Sequence, residues 1–526
     1  MDAEAAARFL TPSLDQLHDP FLLAGMAEAV DRLLSARAAG RKIAIVGDYD
    51  VDGVSSTALL LAVFGACGLD ARAILPNRMR DGYGFQPVHV ERARQAGCGL
   101  ILTADCGSSS VPAIEAAHAL GIEVVVTDHH LPGGELPAGA IQINPRQSGC
   151  GYPFRDLAAA GIALKVALAF AGLAGRALPL GQLLRIACLG TIADLVPLRG
   201  ENRVIAALGL KALEGSRSVG LKALIRQAGM KAPYSAADIG YRIGPRLNAA
   251  GRLDDPGPAL EILLARDEGR AADLAVELDG WNRRRQVEEA RVVEEAEAQV
   301  RARLDETGEL PSILALWSPS WHRGVVGVAA GRLARTWHRP ALLLAVEGES
   351  ATGSGRSLPG IELHGFLSPW RERLLRFGGH AQALGLTARV AELPALRNEW
   401  EESARGFPAE ILARSHRYEI ELAPGQVDLA LFRNLARLEP FGQGNPQPVL
   451  RVGPMRLAAP PRLFGANHLS ARAAGSEGSA LDLVGWGWQP RAADLDGWFE
   501  ALGTLDYDDY RGAPVLRLLD ARPAER

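Results

Sequence analysis

Paired cysteines, long apolar runs and a surplus of positive charge are all missing from this 526-residue chain. Its five cysteines, Cys67, Cys98, Cys106, Cys150 and Cys188, show no CxxC spacing. Neither a zinc knuckle nor a disulfide framework is indicated, and reduced thiols are the simpler expectation. No uninterrupted apolar stretch is long enough for a membrane helix. The opening MDAEAAARFLTPSLDQLHDP carries acids where a secretory leader needs positive charge, so the expected location is the cytoplasm, with no membrane partner. A formal charge of -4 excludes a protein that is basic overall, though not a local basic groove that takes nucleic acid. There is no GxSxG elbow, no GxxxxGKS or GxxxxGKT phosphate loop and no short repeat. Serine-nucleophile and ATP-driven chemistry are therefore not expected.

What the chain does contain is acid placed at strand ends. Asp48, Asp50 and Asp52 lie in IVGDYDVDG, Asp105 in ILTADCG, Asp128, His129 and His130 in VVVTDHH, and Asp194 in GTIADLVPL. The first three groups each follow a short β-branched or Leu-rich run, the signature of buried parallel strands. Catalytic groups in open α/β sheets gather outside the carboxyl ends of such strands, so these residues are expected in one crevice. Carboxylate oxygens with one imidazole suit manganese or magnesium, and shared carboxylates can hold two cations.

Length alone predicts two to four domains. Strand and helix patterns alternate from about Arg41 to Val196. A helix-rich stretch follows, with Arg242, Arg246 and Arg252 set among glycines in IGYRIGPRLNAAGRLDDPG. From Glu268 to Thr307 the sequence is nearly free of Gly and Pro and dense in Ala, Glu and Arg, which reads as one long solvated helix, a spacer. A second α/β pattern runs from SILALW to about Phe407, and short strand-like runs after Tyr418 read as a small β-barrel of the OB type.

Each acid has a plainer reading beside it. A DxD in a Gly-containing loop is commonly turn or cap chemistry, and Asp105 ahead of SSSVPAIEAA has the makings of a helix N-cap. Asp194 in an apolar segment would be costly to bury unpaired, a cost that a metal removes. Asp48 reads either as a ligand or as the group that orients a metal-bound water. Arg78 in LPNRMRDGYGF, Arg246 and Asn248 in GPRLNAAGR, and Ser354 with Arg356 in GSGRS offer donors to phosphate oxygens. Trp486, Trp488, Phe464 and Tyr507 are expected in the barrel core and carry no assigned role.

In this combination and order, DYDVDG, ADCG, DHH and ADLVP resemble the motifs of the DHH phosphoesterase superfamily, and GGHAQALGL resembles the glycine-glycine-histidine signature of its DHHA1 domain. LEPFGQGNPQPVL is similar to the segment that leads into the C-terminal barrel of the superfamily's single-strand-specific exonucleases. The resemblance implies a parallel-sheet DHH domain with a helical extension over 36–265, a connecting helix over 266–308, a DHHA1 domain over 309–410 and an OB-fold over 416–526.

The activity implied is 5′-to-3′ degradation of single-stranded DNA to 5′-mononucleotides by two divalent cations, Mn2+ or Mg2+, in recombination and repair. It makes Asp48, Asp50, Asp52, Asp105, His129 and Asp194 metal ligands, with Asp105 bridging. His130 faces the substrate phosphate, Asp128 holds an imidazole from behind, and Gly379 with His380 meets nucleic acid. A monomer is implied, with a single-strand-binding protein and a helicase as candidate partners. The competing readings are a phosphodiesterase of very short or cyclic oligonucleotides, an inorganic pyrophosphatase, and a non-catalytic single-strand-binding scaffold.

Overall fold

The structure, a computed structural model, describes residues 2–77, 80–82, 84–134, 136–253, 255–508 and 510–525. It divides into two compact units, Met1–Pro245 with Ala259–Ala272 and His416–Arg526, and Arg246–Pro258 with Asp273–Ser415. The C-terminal barrel therefore clusters with the first α/β region.

In the first unit, β1 (Lys42–Gly47), β2 (Ala71–Ile74), β3 (Cys98–Ala104), β4 (Glu123–Thr127) and β5 (Ile141–Ile143) form an all-parallel sheet in the order β2-β1-β3-β4-β5. Their continuous apolar runs are explained by burial on both faces. On one face Val90, Ala93, Ile114 and Ala117 pack against Ala44, Val46, Ile101 and Val124. Helix Val51–Ala66 is buried over nearly its whole circumference, as an all-round apolar helix must be, and its Phe64 meets Phe170 of helix Ala159–Leu173 edge to face at 5.0 Å.

The barrel adds β11 (Ile420–Leu422), β12 (Leu450–Leu457), β13 (Arg462–Phe464), β14 (His468–Gly475), β15 (Ala480–Gly485), β16 (Trp498–Asp508) and β17 (Ala513–Pro523). Their order is β11-β12-β16-β17-β15-β14-β13, and a β12–β14 pairing closes the sheet on itself. Five of these strands make the ring and two short ones are appended. Trp488 lies in its core, as expected, whereas Trp486 is 57% exposed with Phe464 and His468 against it.

The second unit is a mixed sheet of β6 (Leu314–Ser318), β7 (Ala341–Glu347), β8 (Ser350–Arg356), β9 (Leu374–His380) and β10 (Ala383–Arg389), ordered β6-β7-β8-β10-β9. Here the spacer reading of the long helix needs correction. Glu268–Thr307 is one 40-residue helix, but Val292, Val293, Ala296 and Val300 are buried with Leu333 and Leu343 in the core of this unit. A narrow apolar stripe, hidden among Glu and Arg, makes the helix a structural wall.

Phe64→Ala is expected to cost about 3–5 kcal/mol in urea denaturation, because it empties a buried aromatic contact. Tyr510→Ala, at a residue 98% exposed, should stay within about 0.5 kcal/mol.

Candidate metal centre

Three neighbouring strands deliver the first residue after each end to one row. The ladder runs one bond past the strands: Asp48 N–H donates to Ala104 O at 3.1 Å, Asp105 N–H to Thr127 O at 3.0 Å and Asp128 N–H to Ile143 O at 3.2 Å. Asp48, Asp105 and Asp128 thus stand side by side at the carboxyl edge, each only 2% exposed. Asp105 holds a left-handed backbone with φ of 72°, a conformation that costs an ordinary side chain about 1–2 kcal/mol. It is not a helix cap, for Ser110 occupies the N-cap of the following helix.

Asp50 is one. Its Oδ1 accepts from Asp52 N–H and Gly53 N–H at 2.9 and 3.1 Å, so the cap chemistry read for DxD is real here. Yet Asp50 also lies with Asp48 and Asp105 so that one donor atom from each falls within 4.8 Å of the others. Asp52 turns the other way. Its two oxygens accept from Ala159 and Ala160 N–H, both at 2.8 Å, at the start of helix Ala159–Leu173, where the helix dipole favours an anion. Asp52, His129 and Asp194 form a second such donor group, and Asp105, His129 and His130 a third.

His129 is the common neighbour. Its Nε2 lies 3.2 Å from Asp105 Oδ1, 3.5 Å from Asp194 Oδ2 and 4.0 Å from Asp52 Oδ2. The imidazole that Asp128 holds is His130, whose Nδ1 is 2.7 Å from Asp128 Oδ1. His129 has no such acceptor behind it among the described residues. Asp128 also accepts from the N–H groups of Ser108, His129 and His130.

These contacts set the charges. Burial, followed by repulsion from Asp50, lifts Asp52 to about 7. Burial, with Asp52 and Asp50 behind it, lifts Asp194 to about 9. Burial and then the four surrounding carboxylates hold Asp105 well above its ordinary value. His129 is pushed down to about 3 by burial and by the charge of His130, which keeps it in the neutral form that ligates metals. Burial opposes charge on His130 and on Asp128 too, but their mutual hydrogen bond prevails, taking His130 up to about 9 and Asp128 down to about 2.

A divalent cation fits this donor set. Among the described residues Asp105 Oδ1 and both ring nitrogens of His129 are buried with no hydrogen-bond partner, a costly state unless a cation takes the carboxylate oxygen and the one ring nitrogen that carries a lone pair. Hard oxygens with one imidazole match Mn2+ or Mg2+.

In the second unit Ser354 and Arg356 lie on β8 and His380 on β9, with β10 between. Arg356, Ala383 and His380 form one cross-strand row, and Ser354, Gly385 and Gly378 the next. Directly opposed residues share a face, so Ser354, Arg356 and His380 stand together beside two exposed glycines. Gly327, at the start of helix Val326–Trp337, abuts Ser354 and Arg356. Gly379, between Gly378 and His380, is also exposed and pairs with Leu384, and with φ of 139° a Cβ there would lie 2.5 Å from Leu384 Cα. The neighbouring strand calls for glycine at that position while the backbone stays open to solvent.

Arg246 is bound to buried Asp279 at 2.8 Å, and Asn248 lies two residues further along the same helix, Gly244–Leu253. Arg242 is half exposed beside Asp238. Arg78 falls outside the described residues, as does the side chain of Arg252. Sequence reasoning missed the Ala159 and Ala160 amides and Gly190, where a Cβ would strike Asp52 Oδ1. It also missed Asn144, which donates to Ser108 Oγ and His130 O, both at 2.9 Å. Asn144 follows β5 as the aspartates follow their strands, and that position was its one available signal.

Three family models match the chain: the DHH family, N-terminal domain, over 42–191, the DHHA1 domain over 310–406 and the RecJ OB domain over 418–519. A single-stranded-DNA-specific exonuclease RecJ of Dickeya dadantii (strain 3937) is 38% identical, with 97% of this chain and 92% of that protein covered. The RecJ of Bacillus subtilis (strain 168) is 37% identical over 92% of this chain, which spans only 61% of that longer protein. The crystal structure of RecJ in complex with Mn2+ from Thermus thermophilus superposes with a TM-score of 0.82 at 31% identity, covering 99% of this chain and 74% of that one. With its three matched domains in the same order and a relative matched over nearly its whole length, the chain belongs to the RecJ family of single-stranded-DNA-specific exonucleases.

Proposed function

We propose that this chain hydrolyses phosphodiester bonds of single-stranded DNA from the 5′ end, releasing 5′-mononucleotides in recombination and repair. The observation that carries the reading is the buried Asp105, whose Oδ1 has no hydrogen bond among the described residues and which belongs to both the Asp48/Asp50 group and the His129/His130 group. Asp48, Asp50 and Asp105 would hold one cation, and Asp52, His129 and Asp194 the other, Asp105 being near both groups. Two bound divalent cations supply Lewis-acid polarisation of the phosphoryl group and a nucleophilic water near neutral pH.

The chain's own residues do the rest. Asp128 fixes the orientation of His130 and keeps it protonated, so that it donates to the phosphoryl oxygens as negative charge builds on them. Arg356, Ser354 and His380 take the terminal phosphate, Arg356 as a charge-assisted donor. Arg78, Arg246, Asn248 and the exposed Gly379 backbone stay in this substrate-binding reading. The barrel supports a polymeric substrate over a dinucleotide, since a matched RecJ OB domain has no purpose for a ligand that small. No helix among the described residues is long and apolar enough to cross a membrane. The five buried free cysteines support a cytoplasmic location, and a monomer with a single-strand-binding protein and a helicase as partners completes the proposal.

The deciding experiment is product release from a 5′-labelled single strand, beside its duplex and a 3′-labelled copy, in Mn2+, Mg2+ and EDTA. Asp105→Asn is expected to lose at least about a hundredfold in rate, since even partners lying behind a ligand are worth about 10–100-fold. Binding with no cleavage in any metal would sink the exonuclease reading. His130→Ala should lower kcat by about 10²–10⁴ while a Mn2+ titration stays as in the parent. Arg356→Ala should cost about 1.5–3 kcal/mol in binding of a 5′-phosphorylated end, and far less for a 5′-hydroxyl end.

The raised carboxyl groups of Asp52 and Asp194 set a pH dependence. In the metal-free fold they bind protons more tightly than in the unfolded chain. Their contribution to stability is therefore present below about pH 4 and lost as pH rises through about 7 and about 9. A cation must displace those protons. The rise in melting temperature on adding Mn2+ should accordingly grow from about pH 5.5 to about 8.5, and a flat profile would contradict it.

A further inference from the structure

Asp194 differs from the other cluster acids in how it is held. Asp48, Asp105 and Asp128 are fixed by the sheet ladder, and Asp50 and Asp52 by backbone amides. Asp194 caps the carboxyl end of helix Leu180–Ala193, where the helix dipole disfavours an anion. Its carboxylate accepts no hydrogen bond among the described residues. The next residue, Leu195, has a left-handed backbone with φ of 60°. Backbone bonds from Asp194 N–H to Gly190 O and Leu195 N–H to Ile192 O, at 2.9 and 3.3 Å, close the helix end but leave the carboxylate itself unheld.

What touches this turn is the segment leading into the barrel. Leu198 N–H donates to Gln443 O at 2.7 Å. Gly444, with φ of 72°, packs so closely that a Cβ would lie 2.9 Å from Pro197 Cβ, and a Cβ on Gly442 would lie 2.6 Å from Leu198 Cδ1. The leader is itself stiff. Gly442 and Asn445 exchange backbone hydrogen bonds at 2.9 and 3.1 Å, and Asn445 Nδ2 ties back to Leu438 O and Pro440 O at 2.9 Å each. Gln447 Nε2 anchors the leader to the barrel at Leu505 O, 2.9 Å away.

A second tie lies just along the chain. Arg203, 2% exposed, gives Nη1 to Leu438 O at 2.9 Å and Nη2 to Glu439 O at 2.6 Å, with Nε on Phe9 O. Its guanidinium also lies 3.7 Å from the centre of the Phe9 ring, but its hydrogen bonds all go to backbone carbonyls, and a buried cation so bonded demands that each carbonyl stay in place. Asn202 Nδ2 closes the turn by donating to Pro197 O at 3.1 Å.

We propose that the barrel leader, residues 438–445, is a positioning brace for Asp194: it fixes the turn 195–198 and with it the carboxylate's place beside Asp52 and His129. The inference rests on Asp194 being a metal ligand. It gives the FGQGN motif a physical task that lies outside nucleic-acid contact, and it makes the barrel a part of the metal centre's support.

The test is calorimetric titration of the full-length protein with Mn2+, for the parent, Gly444→Ala, the milder Gly442→Ala, Asp194→Asn and Phe499→Leu, with far-UV circular dichroism to confirm folding. Phe499 is buried in the barrel core and pairs with Met455 and Pro523, six positions along β16 from the Leu505 carbonyl that anchors Gln447, so Phe499→Leu loosens the barrel at the other end of that strand. The expected result is about a tenfold loss of affinity for one cation in Gly444→Ala, in the range set by partners behind a ligand, and a smaller loss in Gly442→Ala. Phe499→Leu should titrate as the parent does, and the Mn2+ concentration for half-maximal exonuclease rate should rise in the same proportion as the lost affinity. Folded glycine variants that titrate like the parent overturn the brace, and so does an equal shift in Phe499→Leu. If Asp194→Asn itself leaves the titration unchanged, the ligand reading has failed instead.

Discussion

Packing several carboxylates into one buried crevice is the constraint from which the rest of this structure follows. Asp52, Asp105 and Asp194 have histidine as their only ion-pair partner among the described residues, and each is driven toward its protonated form. Such a set collapses or splays unless the backbone beneath it is rigid. The rigidity comes from a parallel sheet buried on both faces, whose inter-strand bonds continue one residue past the strand ends. The apolar helices are thus the foundation of the acidic crevice.

Within that crevice one carboxylate sorts two adjacent histidines into opposite charge states. His129 and His130 have ring centroids 4.5 Å apart, yet one is held neutral and the other cationic. Asp128 bonds to His130 and holds it charged, whereas burial and that neighbouring charge keep His129 neutral. Environments that push neighbouring titratable groups apart are how a fold assigns distinct roles to like residues. The order of residues in DHH matters for this reason, since exchanging the two roles would require the carboxylate to face the other ring.

Much of this was legible in the sequence, because buried parallel strands and the acids at their ends are both local patterns. The runs KIAIV, GLILT and IEVVV are strands, and the acids after them do converge. The 40-residue helix was legible in extent, for Gly and Pro are scarce in it, but not in role. Its buried stripe of Val292, Val293, Ala296 and Val300 is too narrow to stand out among charged neighbours. The support of Asp52 by the Ala159 and Ala160 amides left no trace at all, because backbone groups have no sequence signature. Gly379 was only half legible: a motif glycine names a tight spot without saying what makes it tight. Here it is a neighbouring strand.

The second unit's sheet face has a property that reaches past the metal centre. Between Ser354, Arg356 and His380 lie Gly378 and Gly385, exposed positions with no side chain. Side chains at those two positions would stand among the donors proposed to take the phosphate, so their absence leaves room in that reading for a sugar-phosphate backbone. Such contacts are the same at every step and carry no information about the base. In that reading the missing side chains leave this face indifferent to the text that passes over it.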